Sequence, residues 1–311
     1  MQGSGMSKRG WLLFTAMAVI WGIPYLLIKV SLRDLTPGTL VFARTGIAAI
    51  LLVPLAAKRG MLRPLLTKWR VMLLYTVIEI AGPWFLLSSA EQRLSSSLAG
   101  LLVASVPLIG AIAAFIVGGV GGGHDDRPDA RRVLGLLVGL GGVAVLVGVD
   151  VSGSDVWAVV AIAFTAVGYA TGPMLISRKL QDLPTLGVVA ASLALTAIAY
   201  TPVAATQWPK HMDAKVLGSV LGLALICTAL AFMVFFALIA EVGPARATVI
   251  TYVNPAIALL LGVLLLSEPF TVGIAIGFPL ILIGCFLATS RNRAARESAQ
   301  REDAVPQVAE A

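Results

Sequence analysis

Two ionisable side chains fall where a hydrocarbon interior would be expected. Glu79 lies eight residues (79 − 71) beyond Val71, inside an apolar run, which at helical rise is roughly 12 Å deep. A carboxylate at that depth costs on the order of 3 kcal/mol even on a mild insertion scale, so it must face a cavity, pair with a cation or hold a proton. Two roles stay open for it: proton coupling or recognition of a substrate amine, and helix packing through a hydrogen bond. Arg44 lies seven residues (44 − 37) inside another run, roughly 10 Å from its end. It calls for a substrate carboxylate or phosphate, an ion pair with Glu79, or carbonyls beside a kinked helix. Lys29, a residue from the end of its run, can snorkel outward.

Further polar groups and rings cluster near prolines. Tyr169, Tyr252 and Asn254 neighbour Gly172-Pro173 and Pro255. Proline removes an intrahelical hydrogen bond, and the loosened carbonyl must find protein, water or ligand, so these side chains are candidates to line a cavity. Pro24, Pro83, Pro107, Pro173, Pro255 and Pro279 mark bends, each a static kink or a moving hinge. Trp21, Tyr25 and Trp84 are candidates for an aromatic wall that holds an apolar or cationic cargo, with lipid-facing packing as the alternative. Trp11, Trp69, Trp157 and Trp208 sit near span ends and read as an interfacial belt.

The elements that position these groups follow from composition. Apolar residues make up 58% of the chain and charged ones 13%, and the mean hydropathy is +0.93, far from a soluble average. Runs long enough to cross a roughly 30 Å core lie near 11–30, 37–57, 71–90, 96–118, 132–149, 155–177, 185–206, 216–239, 244–266 and 270–290. The expected fold is therefore an all-α integral membrane protein with ten transmembrane helices. Of the 23 Lys and Arg, seventeen fall on one side, four (Arg33, Arg93, Lys210, Lys215) on the other, and two (Lys29, Arg44) within spans. The positive-inside rule then puts both termini in the cytoplasm of a multi-pass protein of the cell (plasma or inner) membrane. The net charge of +7 is explained by these span ends, and nucleic acid is not expected as a partner. Cys227 and Cys285 lie inside apolar runs and imply packing rather than a disulfide.

An internal echo organises the runs. Asp34-Leu35 recurs as Asp182-Leu183 and Pro107-Leu108-Ile109 as Pro255-Ala256-Ile257, each 148 residues later (182 − 34, 255 − 107). Gly135 and Gly142 match Gly277 and Gly284 at an offset of 142 (277 − 135, 284 − 142), the linker before them being longer in the first copy. The chain divides into an N-terminus (1–10), a first five-helix repeat (11–149), a second (154–290) and a polar tail (291–311) expected to be disordered. Five spans per unit force the second unit to enter the membrane from the opposite side, giving inverted topology. Such halves offer two near-equivalent packings, the basis of alternating access around a midplane site. Glu79, Arg44 and Lys29 have Cys227, Ser192 and Ser177 as repeat partners, so charge chemistry is expected in the first half only. The Gly118–Asp129 linker, with Gly119, Gly121-Gly122-Gly123 and Asp125-Asp126, reads as a hinge or polar spacer rather than a phosphate loop.

Trp21-Gly22-x-Pro24-Tyr25, Pro37, Phe42-Ala43-Arg44, and above all Gly243-Pro244-Ala245 through Asn254-Pro255 to Glu268-Pro269 and Gly277 to Gly284 resemble the EamA family of the drug/metabolite transporter superfamily. The resemblance covers nearly the whole chain and is most specific from Thr228 to Gly284. It implies a ten-helix monomer with a central cavity that exports or exchanges small metabolites, amino acids or toxic compounds without hydrolysing ATP. It favours a structural or gating role for Arg44 and leaves the cargo open. Protons are the expected coupling ion through Glu79.

Other classes fare less well. His124 and His211 fall in loops, and neither an HExxH helix nor a GxSxG turn is present, so no catalytic residue, metal site or cofactor is expected. Multidrug efflux stands as the alternative cargo class, and a membrane receptor or scaffold as the non-transport alternative.

Overall fold

A computed structural model describes residues 6–119, 130–151, 153–247 and 249–289. Among them nine helices are long and apolar enough to cross a bilayer: α1 (Lys8–Ser31), α2 (Pro37–Lys58), α3 (Arg63–Glu91), α4 (Ser96–Ala113, running on to Gly119), α5 (Ala130–Asp150), α6 (Val156–Leu180), α7 (Thr185–Gln207), α8 (Ala214–Val242) and, last in the chain, α10 (Val272–Thr289). Between the last two lies α9 (Ile250–Leu266), an apolar helix of 17 residues. No strand occurs among the described residues.

The ninth expected run, 244–266, is thus not one continuous helix. Gly243 ends α8 with a φ of +81°, in the left-handed region that glycine adopts without steric cost. Pro244 then starts a separate short helix, Pro244–Ala247, before α9 begins. Gly118 and Gly119 end α4, whereas the rest of the expected spacer (120–129), with His124, and the 291–311 tail lie outside the described residues.

The prolines act on the helices in different ways. Pro24 restarts α1 after an interruption at Ile23, since it has no N–H to offer the preceding turn. The chain is likewise interrupted at Ala104 and Ser105, just before Pro107. In α3 the ring of Pro83 would clash with the Glu79 carbonyl of a regular helix, and the turn before it, Thr76–Ala81, widens to π-helical hydrogen bonding. Side chains from other helices reach carbonyls of this stretch: Tyr200 Oη donates to Ala81 O at 3.0 Å, and Thr165 Oγ1, bonded to Ala161 O at 3.0 Å, also lies 3.3 Å from Pro83 O. Pro173 precedes a π-helical end of α6, whereas α9 runs through Pro255 without interruption.

Helices pack as α2 on α7, α5 on α10, α4 on α9, α3 on α6 and α1 on α8 and α9. The α5–α10 contact is close along its length: a Cβ on Gly142 would lie 2.7 Å from Gly277 O and one on Gly135 would lie 2.5 Å from Ala288 N. Small residues at these positions let the backbones meet, replacing a hydrophobic driving force that lipid does not supply. Large apolar side chains such as Ile50, Leu134, Leu264 and Phe286 are exposed, as expected of a lipid-facing surface.

Candidate functional site

The polar groups around Arg44 come from α2, α3, α6 and α8. Arg44 on α2 is buried, 7% exposed, and its Nε donates to Thr228 Oγ1 on α8 at 2.8 Å. A longer contact at 3.5 Å joins Nη2 to Cys227 O, and Cζ lies 3.7 Å from the centre of the Trp84 ring on α3. The sequence explains the receiving side: α8 is π-helical over Gly222–Leu230. Thr228 Oγ1 spends its own hydrogen on Leu223 O at 2.8 Å, five residues back, leaving its lone pairs for Arg44. The expected alternative of an Arg44–Glu79 ion pair is not formed; the guanidinium is held by a hydroxyl, a carbonyl and an aromatic face instead.

Glu79 sits in the π-helical turn of α3, half-buried, with Oε2 enclosed and without a hydrogen-bond partner. It faces Gly172 on α6 so closely that a Cβ there would overlap its carboxyl. Tyr169, one turn before Gly172, feels the charges of Arg44, Glu79 and Glu91 and lies beside Trp84. Tyr25, buried on α1, lies within electrostatic reach of Tyr169, Glu91 and Arg44. Five of the candidates, Arg44, Glu79, Trp84, Tyr169 and Tyr25, therefore converge.

Three do not. Trp21 packs at a tilt against Phe235, ring centres 4.7 Å apart, in a separate apolar cluster of α1, α8 and α9. With its amide turned so that nitrogen faces the carbonyls, Asn254 donates to Ile250 O at 3.0 Å and Ala18 O at 3.1 Å, tying α9 to α1. Tyr252 shares a 2.8 Å hydrogen bond with Thr289 near the ends of α9 and α10.

A second polar region, not expected from sequence, lies at the end of the bundle that carries loops 32–36, 92–95 and 267–271. Lys29 does not snorkel outward: Nζ donates to Glu91 O at 2.6 Å and Leu94 O at 2.8 Å, a cation set on the last carbonyls of a helix. Beside it opens a vestibule of about 420 Å³ bordered by Lys29, Arg33, Glu91, Gln92 and Glu268. Glu91 borders this space, yet is 0% exposed, with both carboxyl oxygens unpartnered. Glu268 accepts from Ser96 N at 2.7 Å, Ser97 N at 2.9 Å and Ser97 Oγ at 2.5 Å, capping α4 from the second half of the chain. Partial burial acts to raise its pKa, but the Ser97 hydroxyl and the two amides outweigh that and hold it below the usual carboxylate range. Ser267, at a φ of 56°, and the Glu268 N to Gly262 O bond at 3.1 Å turn the carboxylate toward α4. Glu91 escaped notice because it falls one residue past the apolar run, and Thr228 because hydroxyls are common in spans.

Residues 8–148 and 156–290 each match the EamA-like transporter family. The chain belongs to that family. Among curated relatives it is 28% identical over 260 residues to the uncharacterized inner membrane transporter YedA of Escherichia coli (strain K12), covering 79% of each chain. It is 23% identical over 296 residues to the uncharacterized transporter YvbV of Bacillus subtilis (strain 168), covering 93% of this chain and 94% of that one. A solved crystal structure aligns over 95% of this chain and 99% of its own with a TM-score of 0.63 at 22% identity, a shared fold. This EamA-like protein is a multi-pass membrane transporter, with a lipid bilayer around it and a small molecule as its substrate.

Proposed function

We propose that this EamA-like protein is a secondary transporter that exports or exchanges a small metabolite, an amino acid or related compound, by alternating access between two inverted five-helix halves. The observation that carries the reading is the buried cluster built across the halves: Arg44 and Trp84 from the first meet Thr228 and Tyr169 from the second. A rocking motion of one half against the other remakes these contacts. Inverted repeats are supported by the packing, because α2–α7, α4–α9 and α5–α10 join equivalent helices, and α1–α8 has α3–α6 as its counterpart.

Glu79 is the group that takes part in recognition or proton coupling. Its unpartnered oxygen sits next to Tyr169 and Gly172 at mid-depth, where a proton or a substrate amine satisfies it. In proteoliposomes, Glu79→Gln is expected to keep downhill flux while losing its dependence on a pH gradient. Unchanged flux and unchanged pH dependence would sink the coupling role. Efflux of aromatic or cationic compounds is the second reading, favoured by the Trp84 face, which already holds a guanidinium. A thermal-shift panel of amino acids, nucleotides, sugar phosphates and cationic dyes separates the two, since cargo that binds the folded state raises apparent stability. Both termini lie in the cytoplasm of a monomer on this reading, which reporter fusions and the mass in lipid nanodiscs check.

A further inference from the structure

Glu91 is the buried group that this mechanism leaves unused. It closes α3, is 0% exposed, and neither carboxyl oxygen has a hydrogen-bond partner or is open to water. The titratable groups facing it come from every neighbouring element: Tyr25 and Lys29 from α1, Arg44 from α2, Tyr169 from α6 and Glu268 from the 267–271 loop. Arg33 stands at the vestibule alongside. The cations are engaged elsewhere. Lys29 is bonded to Glu91 O and Leu94 O, and Arg44 to Thr228 and Cys227 beneath the Trp84 ring. Glu268 is itself fixed by the amides of α4. An enclosed carboxylate with no donor is unfavourable, and binding a proton relieves it by removing the charge.

We propose that Glu91 is a second proton-binding carboxyl, exchanging with the water of the 420 Å³ vestibule and standing in series with Glu79 along α3. The two are twelve residues apart (91 − 79), roughly 18 Å at helical rise. Tyr169 lies within electrostatic reach of both carboxyls and Tyr25 within reach of Tyr169 and Glu91. Loading requires the end of α3 to open and expose the carboxyl to the vestibule; a hydronium ion there then gives its proton to the carboxylate, leaving a neutral acid and a water, and on release water takes the proton back. The serial arrangement rests on the reading of Glu79 as the coupling group, whereas proton binding at Glu91 stands on its own geometry.

The test is infrared difference spectroscopy of the full-length protein in lipid, titrated from alkaline to acidic buffer and read at the carbonyl stretch of protonated carboxylic acids. Wild-type protein is expected to show two buried-acid components, of which Glu91→Gln removes one and Glu79→Gln the other. Where Glu91→Gln fails to assemble, Glu91→Asp keeps an acid and must shift that component. A Glu91→Gln spectrum identical to wild type, or a Glu91→Asp spectrum with no shifted band, overturns the proposal. Failure of the coupling role of Glu79 is read separately, as unaltered pH dependence of flux in Glu79→Gln with the Glu91 component still present.

Discussion

Replacing Thr228 by valine keeps the volume of the side chain and removes the oxygen that holds Arg44 Nε at 2.8 Å. No other acceptor is placed to take over: Cys227 O is 3.5 Å from Nη2, at the limit of a useful bond, and the Trp84 face is already occupied. Neutral hydrogen bonds between transmembrane helices contribute on average about 0.6 kcal/mol, but those to a charged group contribute about 1.5–3 kcal/mol. With a fully buried threonine and a guanidinium donor, Thr228→Val is expected to destabilise the bundle by about 2 kcal/mol, on the order of a thirtyfold fall in the folding constant. Thr228→Ser keeps the oxygen and is expected to cost below about 1 kcal/mol, the loss of one buried methyl. Reversible unfolding in mixed detergent micelles, followed by helical circular dichroism, measures both. The valine effect is expected to shrink in an Arg44→Met background, because the partner is already gone. If valine and serine variants differ by less than about 0.5 kcal/mol, Thr228 does not hold Arg44 and the link between halves is misassigned.

Other perturbations test the remaining contacts. Glu268→Gln weakens the cap on α4; because the folded carboxyl is held below its usual range, its contribution is present above the unfolded pKa and is lost as pH falls through the folded one. The gap in melting temperature between wild type and Glu268→Gln should therefore close in acid; a gap constant with pH refutes the assignment. Gly172→Ala drives a methyl into the Glu79 carboxyl and is expected to cost about 1–3 kcal/mol by overpacking and to alter the pH dependence of flux, both absent if α6 simply shifts away. Lys29→Met strips the donor from Glu91 O and Leu94 O and should lower stability by about 1 kcal/mol, the scale of a cation at a helix end; hydrogen exchange at the end of α3 would locate the loss.

Span number and limits were legible because a bilayer sets the length of an apolar run, and nine of the ten expected spans appear as helices of crossing length. The remaining run, 244–266, is shortened to the 17 residues of α9, because the apolar signal continues across Gly243-Pro244 although the backbone turns there. The Glu79 and Arg44 positions could be singled out from the cost of charge in hydrocarbon, and the structure brings them near Tyr25, Trp84 and Tyr169. Trp21, Tyr252 and Asn254 were chosen on proximity to proline, and that criterion says nothing of which side of a helix faces inward.

The sequence by itself determined that this chain lives in a membrane, roughly where its apolar helices lie, and to which family it belongs, since hydropathy, charge at span ends and motif order are local properties. Tertiary structure alone decided the partners. Whether Arg44 meets Glu79 or Thr228 depends on residues 184 positions apart and on π-helical turns that rotate side chains relative to a regular helix. It likewise decided that Lys29 caps α3 and that Glu268 reaches across to α4. Partner choice depends on how helices pack, and in lipid that packing rests on small-residue contacts and a few polar bonds that no single stretch of chain contains.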